Sequence, residues 1–334
     1  MQKKIIALAV AGLMSGAAFA QSNVEVYGVM GAYLNNAKVT NAAGASTTTN
    51  LMNSGGQSGS RLGFRGTEDL GGGLKAVFAM ETAINVDAPA ASTLGSRQSY
   101  VGVQGGFGTV SFGRQYTPMF NALALADVTG YADWSMIAVG GSAGNTGIQM
   151  NAAQARNSNS INYKGAFGPV SVQAMYGMGE DGNAGTKGNG DMLSFNAAYA
   201  AGPIAAGYVY AQWKTEGQAG VPNGNVKANG IVGSFDMGMA KLAGSMTWEK
   251  TTAATNSKTK TWQLGADVKL GAGNVLVSFG NRNPDGSNND LKGWQLSYSH
   301  ALSKRTNVVA GYAQFNPEGP ADNKNVFAGL RHTF

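Results

Sequence analysis

The feature that most restricts this chain is an alternation of apolar and polar residues with period two. In Trp262-Gln-Leu-Gly-Ala-Asp-Val-Lys-Leu270 one face carries Trp262, Leu264, Ala266, Val268 and Leu270, and the other Gln263, Gly265, Asp267 and Lys269. Leu242, Gly244, Met246 and Trp248 likewise oppose Lys241, Ser245, Thr247 and Glu249. Leu193, Phe195, Ala197 and Tyr199 oppose Ser194, Asn196 and Ala198, and Trp294, Leu296, Tyr298 and His300 oppose Gln295, Ser297 and Ser299. Such segments are β-strands with apolar matter on one side and water on the other.

A soluble sandwich shares this alternation, so connection lengths must separate it from a closed barrel. Short Gly-rich connections at 69–73, 105–108, 201–203 and 271–273 take turns with longer polar ones at 35–59, 179–190, 214–225 and 251–258. Short turns on one rim and long loops on the other belong to a transmembrane barrel, and aromatics near strand ends (Tyr199, Trp213, Trp248, Trp262, Trp294, Tyr312, Phe334) suit its interfacial girdles. Composition agrees. Charged residues are only 13%, about half the share of an average domain, yet beyond the N-terminus no apolar run is long enough for a membrane helix.

The first residues form a leader: Lys3 and Lys4, an apolar run from Ile5 to Met14, and the small-residue end Ala17-Ala18-Phe19-Ala20. Cleavage after Ala20 is expected, giving a signal peptide over 1–20 and one barrel domain over 21–334. The run is too short for a permanent span. Removing 20 of 334 residues leaves 314, enough for about sixteen strands of roughly ten residues with their connections. The expected fold is therefore all-β, a sixteen-stranded antiparallel transmembrane barrel with both termini at the short-turn rim. Barrels of that size enclose an aqueous channel, whereas eight-stranded ones fill their own interior.

Two regions break the pattern. Segments 204–213 and 229–235 carry apolar residues on both faces. In Val110-Ser-Phe-Gly-Arg114, the parity that sends Arg114 into the lumen sends Phe112 there too. Either a bulge intervenes or that wall faces an inserted loop.

At Ser60-Arg-Leu-Gly-Phe-Arg-Gly-Thr-Glu-Asp-Leu-Gly-Gly-Gly-Leu-Lys-Ala-Val-Phe78 the chain resembles the general porins of Gram-negative bacteria, in the branch typical of β-proteobacteria. Val24-Glu-Val-Tyr-Gly28, Arg97-Gln-Ser-Tyr-Val-Gly102, Phe107-Gly-Thr-Val-Ser-Phe-Gly-Arg-Gln-Tyr116, Arg156-Asn-Ser-Asn-Ser-Ile-Asn-Tyr163 and Gly329-Leu-Arg-His-Thr-Phe334 follow in family order. The resemblance implies a homotrimer in the outer membrane, with a third long loop folded into the pore and passive diffusion of small hydrophilic solutes and ions. It also implies contact with outer-membrane lipid and lipopolysaccharide, and a C-terminal Phe334 read by the barrel-assembly machinery. The third long connection here, 115–155, is the longest, and its apolar content (Leu123, Val128, Trp134, Ile137) suits packing against the barrel interior.

A diffusion pore needs width and an electric field rather than chemistry. By resemblance, wall arginines Arg61, Arg97, Arg114 and Arg156, with the wall carboxylate Glu81, face acidic groups on the inserted loop, where Asp127 and Asp133 are the only acids. Independently of it, an Arg or Lys facing lipid at mid-membrane costs about 2–4 kcal/mol, so mid-strand arginines belong on the lumen side. Arg65 shares the parity of Arg61 and should point inward nearer the short turn. The precursor's net charge of +6 falls to +4 without Lys3 and Lys4. With the basic excess at this constriction, a modest anion preference is expected.

Other functions fit less well. With no cysteine and only His300 and His332, thiolate metal sites, His-rich clusters and His-based nucleophile activation lack their groups, and no cofactor, metal, enzyme activity or nucleic-acid partner is expected. A pure adhesin or anchor would be smaller or carry a separate domain. The serious alternative is a substrate-specific channel, whose lumen site Tyr131 and Trp134 on the long loop could supply.

Overall fold

Alternation makes each strand two-faced, and a sheet of such strands hides its apolar face in lipid only by closing on itself. The computed structural model describes residues 23–88, 92–137, 155–179, 191–214, 224–253, 256–286, 290–317 and 321–334. The expected leader, 1–20, lies outside them. In chain order the strands are β1 (Asn23–Thr40), β2 (Ser46–Ser54), β3 (Arg61–Gly71), β4 (Leu74–Ala83), β5 (Gln98–Gly105) and β6 (Gly108–Tyr116). A short helix α1 (Pro118–Leu123) precedes β7 (Arg156–Phe167), β8 (Val170–Gly177), β9 (Met192–Ala201), β10 (Ile204–Lys214) and β11 (Gly224–Asp236). Then come β12 (Ala240–Ala253), β13 (Ser257–Leu270), β14 (Gly273–Pro284), β15 (Leu291–Ala301), β16 (Thr306–Pro317) and β17 (Asp322–Thr333).

Each strand pairs antiparallel with its neighbours, and β1 closes on β17 from Val29 opposite Thr333 to Thr40 opposite Asp322. β2 and β3 both pair with β1, β2 against Ala32 to Thr40 and β3 against Asn23 to Val29. They are two halves of one stave, interrupted at residues 55–60. Seventeen segments less this one duplication give sixteen staves, as the sequence predicts. The first described strand and the last residue meet at the short-turn rim, where Gly28 and Phe334 exchange backbone hydrogen bonds of 3.1 Å.

The faces fall as alternation requires. In β13, Thr259, Thr261 and Gln263 are buried toward the lumen, while Trp262 and Leu264 stand on the outer wall. The outer face, exposed in the isolated chain, is the one that lipid covers. Some expected long connections are instead strand. Of 35–59, residues 35–40 and 46–54 extend a hairpin around 41–45, and β12 and β13 likewise take up most of 251–258. Thr-rich runs such as Thr47-Thr-Thr49 favour pleated backbone, so polar content there marks a hairpin standing above the membrane.

The apolar two-faced segments have a clear cause. Val209, Ala211 and Trp213 of β10 and Val226, Ala228 and Val232 of β11 are buried against Met119, Ala122, Leu123, Ala126 and Ile137 of the long connection. That wall faces an inserted loop, one of the two readings left open above. The connection is also bonded to the polar inner wall: Asn121 Nδ2 donates to Gln173 Oε1 at 2.8 Å, Asn196 Nδ2 to the Pro118 carbonyl at 2.8 Å, and Gln263 Nε2 to the Ala126 carbonyl at 2.6 Å.

Candidate functional site

Strand parity fixes which charges reach the lumen. Glu81 stands opposite Gly63 and Gln98 and shares the buried parity of Ala79, so it faces inward. Only 3% exposed, it is saturated by its neighbours. Arg97 Nε donates to Oε1 at 2.6 Å, and the Tyr27 hydroxyl donates to Oε2 at 3.2 Å. Tyr27 reaches it by lying across Gly63, where a Cβ would overlap the phenol ring.

Around this carboxylate the cations gather on one phenol. Arg97 Nη2 donates to the Tyr116 hydroxyl at 2.6 Å, Arg156 Nη2 donates to the same oxygen at 3.0 Å, and the Arg156 guanidinium lies 4.6 Å from the ring centroid. Arg61, anchored through Nε to the Gly59 carbonyl at 2.8 Å, lies within Coulombic reach of Arg97, Arg156 and Glu81. Three guanidinium groups therefore cluster with one carboxylate. Arg65 shares their wall nearer the short-turn rim, exposed, and pairs with Glu25 at 2.8 Å.

Arg114 lies within Coulombic reach of Arg156 but starts from the other face of the sheet. It stands opposite Ser99, and Phe112 opposite Val101, on the face where Phe112 is 50% exposed and Val101 58%. Inward places in β6 belong to Ser111 and Gln115, joined by a 2.6 Å hydrogen bond. The shared parity of Arg114 and Phe112 is thus resolved toward the outer face, and the register irregularity falls on β7, beside Asn159 with φ of 50°. Arg114 donates to the Ser96 carbonyl at 2.8 Å and to Ser158 Oγ at 2.9 Å.

The two loop acids serve the loop. Asp127 accepts from Thr129 N at 2.8 Å, Thr129 Oγ1 at 2.7 Å and Tyr131 N at 2.5 Å, closing a tight turn. Burial pushes its carboxyl above the usual carboxylate range against the pull of those bonds. Asp133 accepts from the Tyr33 hydroxyl at 2.9 Å and from Gly56 N at 3.4 Å, and its own N–H donates to the Gly56 carbonyl at 2.8 Å. Desolvation raises it to about 6.

The loop aromatics are engaged too. Tyr116, Phe120 and Tyr131 form a three-ring stack with centroids 4.3 and 4.2 Å apart, and the Tyr131 hydroxyl donates to the Phe120 carbonyl. Trp134, 2% exposed, stacks on Phe327 at 3.8 Å. Both rings pack the connection against the wall. Phe334 lies over Gly28, where a Cβ would overlap its ring. On the outer face His300 meets Tyr298 and His332 meets Thr306.

Sequence reasoning missed the inward segment 55–60. Gly55 and Gly56 turn with φ of 95° and 79°, Gln57 bonds Ser299 at 2.9 Å and also Asn307, and Ser58 accepts from Arg331 at 3.2 Å. The signal was Gly55-Gly56 inside an otherwise strand-like stretch, a usual mark of a bulge.

Comparison with known proteins is consistent along the whole chain. The family described as Gram-negative porin matches residues 7–320. The chain is 33% identical over 328 residues to outer membrane porin protein 32 of Delftia acidovorans, covering 94% of this chain and 89% of that one. It is 27% identical over 358 residues to major outer membrane protein P.IB of Neisseria lactamica, covering all of both. A solved anion-selective porin from Comamonas acidovorans superimposes with a TM-score of 0.79 at 28% identity, covering 94% of this chain and 100% of that one.

Proposed function

Since this chain belongs to the Gram-negative porin family and forms a general diffusion pore of the bacterial outer membrane, we propose that its selectivity is set by Arg61, Arg97 and Arg156 gathered about Tyr116. The carrying observation is the imbalance of that cluster. Three cations share one carboxylate, and Glu81 already accepts from Arg97 and Tyr27. Fixed positive charge in a low-dielectric channel concentrates anions and repels cations. A modest anion preference follows, supported by the likeness to a porin described as anion-selective. Asp127 and Asp133 would act by holding the connection in shape, and Arg114 by bracing the segments before β5 and at the start of β7 through Ser96 and Ser158.

The same reading makes the protein a channel and not an enzyme. It would be exported through a leader cleaved after Ala20, recognised during assembly through Phe334, and stable as a homotrimer in contact with lipopolysaccharide. Reversal potential across a planar bilayer in a KCl gradient tests the selectivity; a cation-preferring pore would refute it.

A further inference from the structure

One glycine of β1 lets the inserted segment 55–60 cross the inner wall. The Gly55 N–H donates to the Gly31 carbonyl at 2.8 Å, the Gly31 N–H donates to Ser60 Oγ at 3.0 Å, and Ser60 Oγ donates back to the Gly31 carbonyl at 3.1 Å. Both ends of the segment are thus pinned to one residue, and a Cβ on Gly31 would strike the Gly55 carbonyl oxygen. Between the pins the tip reaches three strands on the far side of β1. Gln57 donates to Ser299 Oγ of β15 at 2.9 Å and accepts from Asn307 Nδ2 of β16, while Ser58 Oγ accepts from Arg331 Nε of β17 at 3.2 Å. At the other shoulder the Gly59 carbonyl accepts from Arg61, and a Cβ on Gly59 would press on Arg97 Nη1.

Arg331 stands directly opposite Gly31 and Asn307 and shares the parity of the buried Asn323, Asn325 and Phe327, so it faces the lumen. It lies two residues before Thr333, whose N–H donates to the Arg305 carbonyl at the short-turn rim. Ser58 occupies its Nε. Among the described residues nothing bonds Nη1 or Nη2, and no carboxylate pairs with the guanidinium. The other inward cations toward this rim differ. Arg65 pairs with Glu25, Lys75 stands opposite Asp69, and Lys241 stands opposite both Asp236 and Asp267. Among the described residues no side-chain hydrogen bond fastens Lys164 or Lys269. Only Arg331 is both fixed in place and without a counter-charge.

We infer that Arg331, held by segment 55–60, is a separate contact point for small oxyanions, carboxylates and inorganic phosphate among them, on the short-turn side of Arg61, Arg97 and Arg156. A guanidinium tied through Nε keeps its two terminal nitrogens side by side in one plane. That fork matches two oxygens of a carboxylate or phosphate, and an ammonium cannot copy it. The cluster is differently committed. Arg97 uses Nε and Nη2 on Glu81 and Tyr116, Arg156 uses Nη2 on Tyr116, and Arg61 has Glu81 within Coulombic reach. The cluster therefore supplies field, and Arg331 supplies a contact that distinguishes an oxyanion from chloride. The inference rests on the anion-preferring reading of the pore and adds a substrate class to it.

The test uses the full-length assembled protein in planar bilayers, with KCl reversal potentials and the chloride current measured as inorganic phosphate is added. Wild-type current is expected to fall saturably with phosphate. Arg331→Gln is expected to lose that block and to lower the chloride-to-potassium permeability ratio by about twofold. Arg331→Lys keeps the charge without the fork, so it should hold the chloride ratio and still lose most of the block, a split that a merely structural role would not produce. Ser58→Ala, which frees the guanidinium, should weaken the block at unchanged chloride ratio. Should Arg331→Gln not assemble, the Lys and Ser58 variants decide. Absence of phosphate block in the wild type, or wild-type block in Arg331→Gln or Arg331→Lys, would overturn the proposal. A cation-preferring wild type refutes the selectivity reading instead, and the phosphate block still decides the role of Arg331.

Discussion

The Tyr33 hydroxyl of β1 donates to Asp133 Oδ2 at 2.9 Å, fastening the long third connection to a strand one hundred residues earlier. The same carboxylate meets the Gly56 amide, so the connection and the inward segment 55–60 brace each other inside the barrel. A hydrogen bond to a charged group contributes about 1.5–3 kcal/mol. Tyr33→Phe should therefore loosen the connection by that order, seen as more frequent current fluctuations in single-channel records. Asp133→Asn should do less, because an amide oxygen still accepts from Tyr33.

Asp133 also gives the contact a pH dependence. Its carboxyl is raised to about 6, so the docked connection binds the proton more tightly than a free aspartate does. Docking is then most favourable at low pH, below the ordinary carboxylate range, and loses that advantage as pH rises through about 6. Fluctuations in wild-type channels should decrease from pH 7 to pH 5. The same records from Asp133→Asn should show no such change, and an identical pH response in that variant would remove Asp133 as the cause.

The Arg97 to Glu81 pair makes a charge prediction. Glu81→Gln removes the carboxylate and leaves three guanidinium groups, so the reversal potential should shift toward anions. Arg97→Gln should shift it toward cations and leave Glu81, 3% exposed, with Tyr27 alone. That loss costs about 1.5–3 kcal/mol, read as a lower unfolding temperature by gel mobility. The double variant should recover much of the stability, because no buried carboxylate remains without its partner.

How far the sequence reveals this arrangement depends on the residue. Period-two strands such as β13 and β15 are legible because one face meets lipid and the other water. Val209 and Ala211 are illegible by the same rule, because their inner face meets apolar loop residues rather than water. Arg114 and Phe112 share a parity, and sequence favours whichever residue carries the stronger expectation; the register decides for Phe112. Asp127 reads as a pore charge by type, yet it is consumed by turn amides that no composition reveals. The split stave at 55–60 depends on Gly55 and Gly56 adopting positive φ, a local choice that strand periodicity cannot register.

Gly63 is where backbone and field meet. Tyr27 crosses it to reach Glu81, and a methyl group there would overlap the ring. Gly63→Ala should displace Tyr27, remove one of the two bonds to Glu81 and enlarge the local shift seen in Arg97→Gln when the two are combined. Tyr27→Phe should reproduce the selectivity change of Gly63→Ala; different selectivities in the two variants would mean that the glycine acts through something other than Tyr27.

Trp134 should prove the stronger fastening of the connection. Its ring is 2% exposed, stacked on Phe327 at 3.8 Å and edge-on to Tyr33 at 5.7 Å. Truncating a buried tryptophan to alanine costs about 3–5 kcal/mol, more than the Tyr33 hydrogen bond supplies. Trp134→Ala should therefore release the connection more fully than Tyr33→Phe, with larger current fluctuations and a raised mean conductance as the connection leaves the lumen. Tyr131→Phe keeps its place in the ring stack and loses only a hydroxyl bond, so its conductance should stay near wild type. Wild-type conductance and noise in Trp134→Ala would show that the apolar contacts of Met119, Leu123 and Ile137 with β10 and β11 hold the connection without it.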